Sequence, residues 1–90
     1  MTTLSVKLTF HIPNTFSLKD KRQVSRSLVD KTRKRFNASV SEVGTQDVHK
    51  TLTIGVAVVS SDAAHARRSM DEIVRYMEEH ADAELIMVEE

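Results

Sequence analysis

Residues 4–12 alternate strictly between apolar and polar side chains, and this period of two constrains the first element of the chain. The apolar positions are Leu4, Val6, Leu8, Phe10 and Ile12. Successive side chains of a β-strand point to opposite faces, so the pattern predicts a strand with one buried face. Pro13 predicts the end of that strand, and residues 14–16 are expected to turn the chain. The apolar face then requires a second layer to cover it.

The following segment changes from a period of two to a helical period, which predicts an α-helix over residues 18–35. Ser17 followed by Asp20 resembles a capping box with Asp in place of Glu or Gln, so the helix should begin near Leu18. On a helical wheel the packed side holds Leu18, Val24, Leu28, Val29 and Thr32. A second side, about 60° wide, holds four bases: Lys19, Arg22, Arg26 and Arg33. One face is expected to enter the core and another to be basic.

The rest of the chain predicts two more strands, a second helix and a final strand. Residues 38–43 alternate weakly, and residues 44–47 are typical of a hairpin connection to a β-branched strand over residues 49–59. The inward positions of that strand are expected to be Leu52, Ile54, Val56 and Val58. Residues 60–62 can cap a second helix with a packed stripe: Ala66, Met70, Ile73, Val74 and Met77. Residues 84–88 predict the last strand.

The order β-α-β-β-α-β predicts an α+β, ferredoxin-like sandwich, with a four-stranded antiparallel sheet and both helices on one face. With 90 residues, the chain is expected to form a single domain over residues 1–90. The open face of the sheet should then carry small and polar residues: Thr3, Ser5, Lys7, Thr9, Thr51, Thr53, Gly55 and Ala57.

Composition excludes several classes of function. The chain has no cysteine, which rules out a disulfide framework, an iron–sulfur cluster and a thiol nucleophile. No apolar run approaches the roughly 18–20 residues of a membrane-spanning helix, so we expect a cytoplasmic protein that does not contact a membrane. The four histidines show no metal-binding spacing. No cofactor, metal or small-molecule substrate is predicted, and the absence of a catalytic constellation predicts a protein that is not an enzyme.

Charge is distributed unevenly along a chain that is neutral overall. Thirteen Lys and Arg balance thirteen Asp and Glu, yet residues 17–35 hold eight bases and two acids, and residues 82–90 hold four acids and no base. A one-sided basic helix is how a small domain engages phosphate. The predicted nucleic-acid-binding residues are Lys19, Lys21, Arg22, Arg26, Arg33 and Lys34. The alternative is a solvated helix face, paired or not with the acidic C-terminal segment.

Several short motifs, in order, resemble one family. They are His11-Ile12-Pro13, Ser17 to Arg22, Arg35 to Val40, Glu42-Val43, Gln46-Asp47 and Gly55 to Ser60. Together they resemble the YlxP-like family, small bacterial proteins of unknown function, over nearly the whole chain. The resemblance implies the ferredoxin-like fold and brings no known activity. Its members are often encoded beside translation-initiation and ribosome-maturation factors, which implies a role linked to the ribosome.

Three hypotheses for function follow. The first is a non-catalytic accessory factor that binds RNA or a ribosomal subunit through the basic first helix. Base stacking on the sheet does not fit, because that face lacks aromatic residues. The second is a homo-oligomeric or protein-binding module that uses the open face or an edge of the sheet. The third, a small-molecule enzyme, has the least support. An acylphosphatase-type phosphate loop is absent after the first strand, since residues 11–16 contain neither glycine nor arginine.

Overall fold

Six elements follow one another in the predicted order in the computed structural model, which describes residues 1–13 and 15–90. They are β1 (Thr2–His11), α1 (Leu18–Arg35), β2 (Ser39–Glu42), β3 (Thr51–Ser60), α2 (Ala63–His80) and β4 (Glu84–Glu89). The strands form one antiparallel sheet in the order β2-β3-β1-β4. This α+β, ferredoxin-like arrangement confirms the predicted fold class. Asn14, in the predicted turn, lies outside the described residues.

The core lies between the sheet and the two helices, where the period-two and helical patterns placed it. Val6, Leu8, Phe10 and Ile12 of the first segment are buried, and Leu4 packs half-buried at its margin. All four inward positions predicted for β3 are buried. The α2 stripe is also confirmed, with Val74 half-buried and the other four positions buried. Apolar burial on this scale is the main force that holds the layers together.

The packed face of α1 differs from the predicted one. Its fully buried members are Lys21, Ser25, Leu28, Val29 and Thr32, whereas Leu18 and Val24 are only half-buried. At 100° per residue, Lys21 and Ser25 lie within about 20° of Thr32 on the packed side of the wheel, but the prediction did not include them in that face. Three of these buried residues are polar: Glu42 of β2 is the partner of Lys21 and Ser25, and Thr32 Oγ1 donates to the Leu28 carbonyl at 2.7 Å. The start of the helix is as predicted: the Asp20 N–H donates to Ser17 Oγ at 3.1 Å.

The two edges of the sheet are finished differently. At β2, the guanidinium of Arg33 donates to the Val40 carbonyl from Nε at 3.0 Å and from Nη2 at 2.6 Å. The amide of Gln46 donates to the Glu42 carbonyl at 3.4 Å. At β4, a register shift between Thr9 and Phe10 interrupts the pairing with β1. Ile86, Met87 and Val88 are each about half exposed there. Side chains therefore cover the β2 edge, and β4 is the more open one.

The open face of the sheet carries the small and polar residues that alternation predicted. Thr53 differs from the other residues of this face because its side chain is buried, with 6% exposure. Its N–H donates to Thr45 Oγ1 at 2.9 Å, and its carbonyl accepts from the Val43 N–H at 2.8 Å. Residues 43–45 therefore continue beside β3 after β2 ends. Over residues 1–13 and 15–90, no helix has the length and apolar character needed to cross a membrane.

Candidate nucleic-acid interface

Five of the six predicted binding residues lie exposed on α1. We call this set the α1 basic face: Lys19, Arg22, Arg26, Arg33 and Lys34. None of the five forms an ion pair with any described residue. At about 1.5 Å of rise per residue, the set extends along about 22 Å of helix. Asp30 is an exposed acid on the same side of the helix, so the net charge of this surface is that of four cations.

Lys21 does not belong to this surface, and its prediction as a binding residue is wrong. Its side chain is fully buried, with Nζ 2.9 Å from Glu42 Oε2. The same ammonium donates to the Thr45 carbonyl, and Ser25 Oγ donates to Glu42 Oε1 at 2.9 Å. An ammonium enclosed by these partners cannot contact a phosphate. Its role is to join α1 to β2 and to the loop that follows β2.

Arg33 belongs to the α1 basic face and also donates hydrogen bonds to β2, the edge strand of the sheet. Both of its hydrogen bonds go to one backbone carbonyl, that of Val40, so its charge is not neutralised. The remaining guanidinium nitrogen takes no part in that contact. Arg33 is therefore a positioned cation, whereas Lys19, Arg22, Arg26 and Lys34 make no side-chain hydrogen bond among the described residues.

Two other bases of the basic segment, residues 17–35, contact α2 instead. Lys31 Nζ donates to the His80 carbonyl at 3.4 Å. The guanidinium carbon of Arg35 lies 5.9 Å from the ring centre of Phe36 and 5.8 Å from that of Tyr76. Tyr76 in turn stacks on His80, with ring centres 4.1 Å apart. These contacts fix the end of α1 against α2 and divide the basic segment between two faces.

The acidic C-terminal residues do not pair with α1 in the described part of the chain. Glu89 lies 3.7 Å from Lys7 Nζ, and Glu90 pairs with Arg67. The hydrogen bond from Arg67, and then its positive charge, lower the pKa of the Glu90 carboxyl from its ordinary value. Within the described residues, the acidic C-terminal segment therefore does not pair with the α1 basic face, and the alternative that stays open is a solvated helix face.

Phe16 is a surface residue that sequence reasoning placed only in a turn. It is 87% exposed and directly precedes Ser17, the N-cap of α1. Its N–H donates to Asp20 Oδ2 at 3.2 Å, and Thr15 Oγ1 donates to the Ser17 carbonyl at 3.3 Å. The sequence held a signal for this exposure, because Phe16 belongs neither to the alternating pattern of residues 4–12 nor to the helical pattern of residues 18–35.

Two grooves lie near these elements. One is lined by Ile12, Pro13, Thr15, Asp20, Val24, Asp82, Ala83 and Glu84, and its polar groups are mostly carboxylates. The second crosses the open face of the sheet beside Ser41, Gly55 and Glu89. Among residues 1–13 and 15–90, no group of three or more His, Asp or Glu side chains is arranged to hold a metal ion. Among the described residues that line the two grooves, no nucleophile is paired with a base.

Comparison with known proteins agrees with the motifs seen in the sequence. The family described as a protein of unknown function, DUF503, matches residues 3–90. The chain is 29% identical to the uncharacterized protein YlxP of Bacillus subtilis (strain 168) over 68 residues, which are 76% of this chain and 74% of that protein. Among solved structures it is similar to the de novo designed protein Ferredog-Diesel, with a TM-score of 0.45 and 16% identity, over 99% of this chain and 85% of that one. The match across almost every residue shows that the chain belongs to DUF503, a YlxP-like family of unknown function.

Proposed function

We propose that this protein is a non-catalytic accessory factor that binds RNA or a ribosomal particle through the α1 basic face. The observation that carries the proposal is the exposure of five bases on one helix, none of them paired with an acid among the described residues. Cations that the fold leaves unpaired are available to replace the counterions of a polyanion. The gene neighbourhood implied by the family resemblance supports RNA of the ribosome as the polyanion.

The form of the surface favours contact with phosphates over contact with paired bases. Lysine and arginine side chains spread over about 22 Å of helix can meet several successive phosphates of one strand. The open face of the sheet offers no aromatic platform among the described residues, since its strands present threonine, serine, glycine and alanine there. Affinity should therefore come chiefly from charge and should depend strongly on salt.

The test is fluorescence anisotropy of labelled RNA and of small ribosomal subunits, titrated with the protein at two salt concentrations. With four to five phosphates neutralised on a single strand, the log–log slope is about −3, so raising salt from roughly 50 to 200 mM should weaken binding about 50- to 130-fold. The double variant Arg22→Glu/Arg26→Glu should lose binding. It should stay folded, because both side chains are exposed.

A matched control comes from the second helix. Arg68→Glu/Arg75→Glu makes the same change in net charge at two exposed positions of α2. This control should retain most of the affinity if the α1 basic face is the binding surface. Equal losses in both double variants would show that only net charge matters and would overturn the assignment to α1. No binding by the unmodified protein at low salt would overturn the proposed function itself.

A second candidate, self-association through the sheet, is supported by the exposed apolar residues of β4. Ile86, Met87 and Val88 are 47–56% exposed along the more open edge. However, antiparallel pairing of two β4 strands about their centre would place Glu84 opposite Glu89 of the second copy, and like charges directly opposite destabilise a pair. We therefore rank this candidate below RNA binding. Sedimentation equilibrium would support it if the mass were twice 10.2 kDa.

A further inference from the structure

Phe16 presents an aromatic ring to solvent at the end of the α1 basic face. At 87% exposure it is the most exposed of the four aromatic side chains, because Phe10 is buried and Phe36 and Tyr76 are half-buried against the core. Burial of a phenylalanine ring is ordinarily among the larger stabilising contributions in a small domain. The exposed Phe16 ring does not contribute this burial energy to folding, so its apolar surface is available to a partner.

The backbone on both sides of Phe16 is fixed. Its own N–H is bound by the Asp20 carboxylate, and Ser17 caps the helix through the Asp20 N–H. On the other side, Thr15 is buried and donates to the Ser17 carbonyl. A partner that contacts the ring therefore does not need to order this segment first, which lowers the entropic cost of binding.

The charges around Phe16 restrict where a polyanion can lie. Lys19 is three residues further along and begins the α1 basic face. Asp20 and Val24 line the acidic groove from another side of α1, together with Asp82 and Glu84. A nucleic-acid strand is attracted to the Lys19 side and repelled by the groove. Phe16 therefore lies along the chain between this groove, whose Asp20 carboxylate binds its N–H, and the first cation of the α1 basic face, so a nucleic-acid strand that reaches the ring has to come from the Lys19 side.

We infer that Phe16 stacks on an unpaired base, so that the RNA contacted by the α1 basic face is single-stranded or looped at this end. The inference rests on the proposed function and narrows its substrate. Stacking needs a base whose face is free, because a base inside a duplex is already stacked on its neighbours. Aromatic stacking beside a cationic groove is a general means of binding single strands with little sequence preference.

The experiment compares two probes: a single-stranded oligoadenylate of about 12 nucleotides and a blunt RNA duplex of equal length. Phe16→Ala should weaken binding of the single strand about 5- to 150-fold, the range of one base–aromatic stack, and should leave duplex binding unchanged. Phe16→Tyr should retain the affinity, because it keeps the ring. The Phe16→Ala protein should melt at the same temperature as the unmodified one, since the deleted ring is exposed.

A spectroscopic readout tests stacking directly. The chain has no tryptophan, so Phe16→Trp introduces a single indole reporter. Its emission should be quenched by the single strand and remain unchanged with the duplex.

The outcomes separate this inference from the proposed function. If Phe16→Ala binds the single strand normally while Arg22→Glu/Arg26→Glu does not, stacking is refuted and the charge-based function stands. If Phe16→Ala weakens both probes equally, recognition of an unpaired base is refuted. If the unmodified protein binds neither probe, the stacking inference is refuted, and the proposed function is overturned as well if small ribosomal subunits also fail to bind.

Discussion

Replacing Lys21 by methionine tests the buried ion pair that joins α1 to β2. Methionine keeps the apolar volume of the side chain but removes the ammonium that lies 2.9 Å from Glu42 Oε2. Breaking a buried pair by removing one partner costs about 3–5 kcal/mol, because the other charge stays uncompensated. The Glu42 side chain is 16% exposed, so water can partly replace the lysine, and we take the lower end, about 3 kcal/mol.

That loss is large for a domain of this size. At about 0.05–0.15 kcal/mol per residue, a 90-residue domain has a free energy of unfolding of about 5–13 kcal/mol. A loss of about 3 kcal/mol lowers the Tm by about 12–24 °C. Urea unfolding followed by circular dichroism measures the loss directly. The double variant Lys21→Met/Glu42→Leu removes both charges and should recover most of the stability.

Two results would refute this reasoning. One is a Lys21→Met protein within about 0.5 kcal/mol of the unmodified one, the size of an ordinary surface substitution. The other is a double variant that is no more stable than the single variant, because then no coupling exists between the two charges. The same Lys21→Met protein, where folded, should bind RNA with unchanged affinity. A marked loss of affinity would return Lys21 to the binding surface.

Further predictions concern the helix cap, the turn, the core and the C-terminus. Ser17→Ala should cost about 1 kcal/mol in thermal unfolding, because the Asp20 N–H loses its acceptor. Gly44→Ala should cost about 1–2 kcal/mol, since Gly44 has a φ of 81°, where an added Cβ is strained; a gain in stability would contradict this. Ile73→Ala should cost about 2–5 kcal/mol by urea unfolding, because Ile73 is 1% exposed in the core. In an NMR titration, the pKa of the Glu90 carboxyl should lie below its ordinary value, and it should rise in the Arg67→Gln variant. Because the pKa is depressed in the folded state, any stability that this pair contributes is present at neutral pH. That stability is lost as the pH falls through the folded-state pKa.

The fold could be predicted because apolar periodicity reports burial directly. The α1 helix has the predicted bounds, and the alternating apolar positions of β1 and β3 face the core as expected. Errors in strand bounds were small: β2 is shorter than residues 38–43, and β3 begins at Thr51 rather than His49. Strand ends depend on pairing with a neighbour, which a pattern within one segment does not contain.

The candidate site was predicted less well, for a physical reason. Helical position alone cannot tell whether a lysine is buried, because the partners that make burial tolerable come from other elements. For Lys21 those partners are Glu42 and the carbonyl of Thr45, which is 24 residues away along the chain. The exposure of Phe16 was missed for a related reason. Phe16 lies outside both apolar periodicities, and that signal places it in a turn without giving its exposure, which depends on how the turn is held against the other elements.

The unequal edges of the sheet limit how copies of this protein can join. The outward carbonyls of Val40 and Glu42 are already bonded by Arg33 and Gln46, so a strand added at β2 would have to displace them. Strand addition is therefore directed to β4. Growth of a fibre by sheet extension needs two accepting edges on every molecule, and a molecule with one such edge ends the array after a single addition. Pairing of copies through β4 is therefore expected to give a closed dimer in preference to a growing fibre.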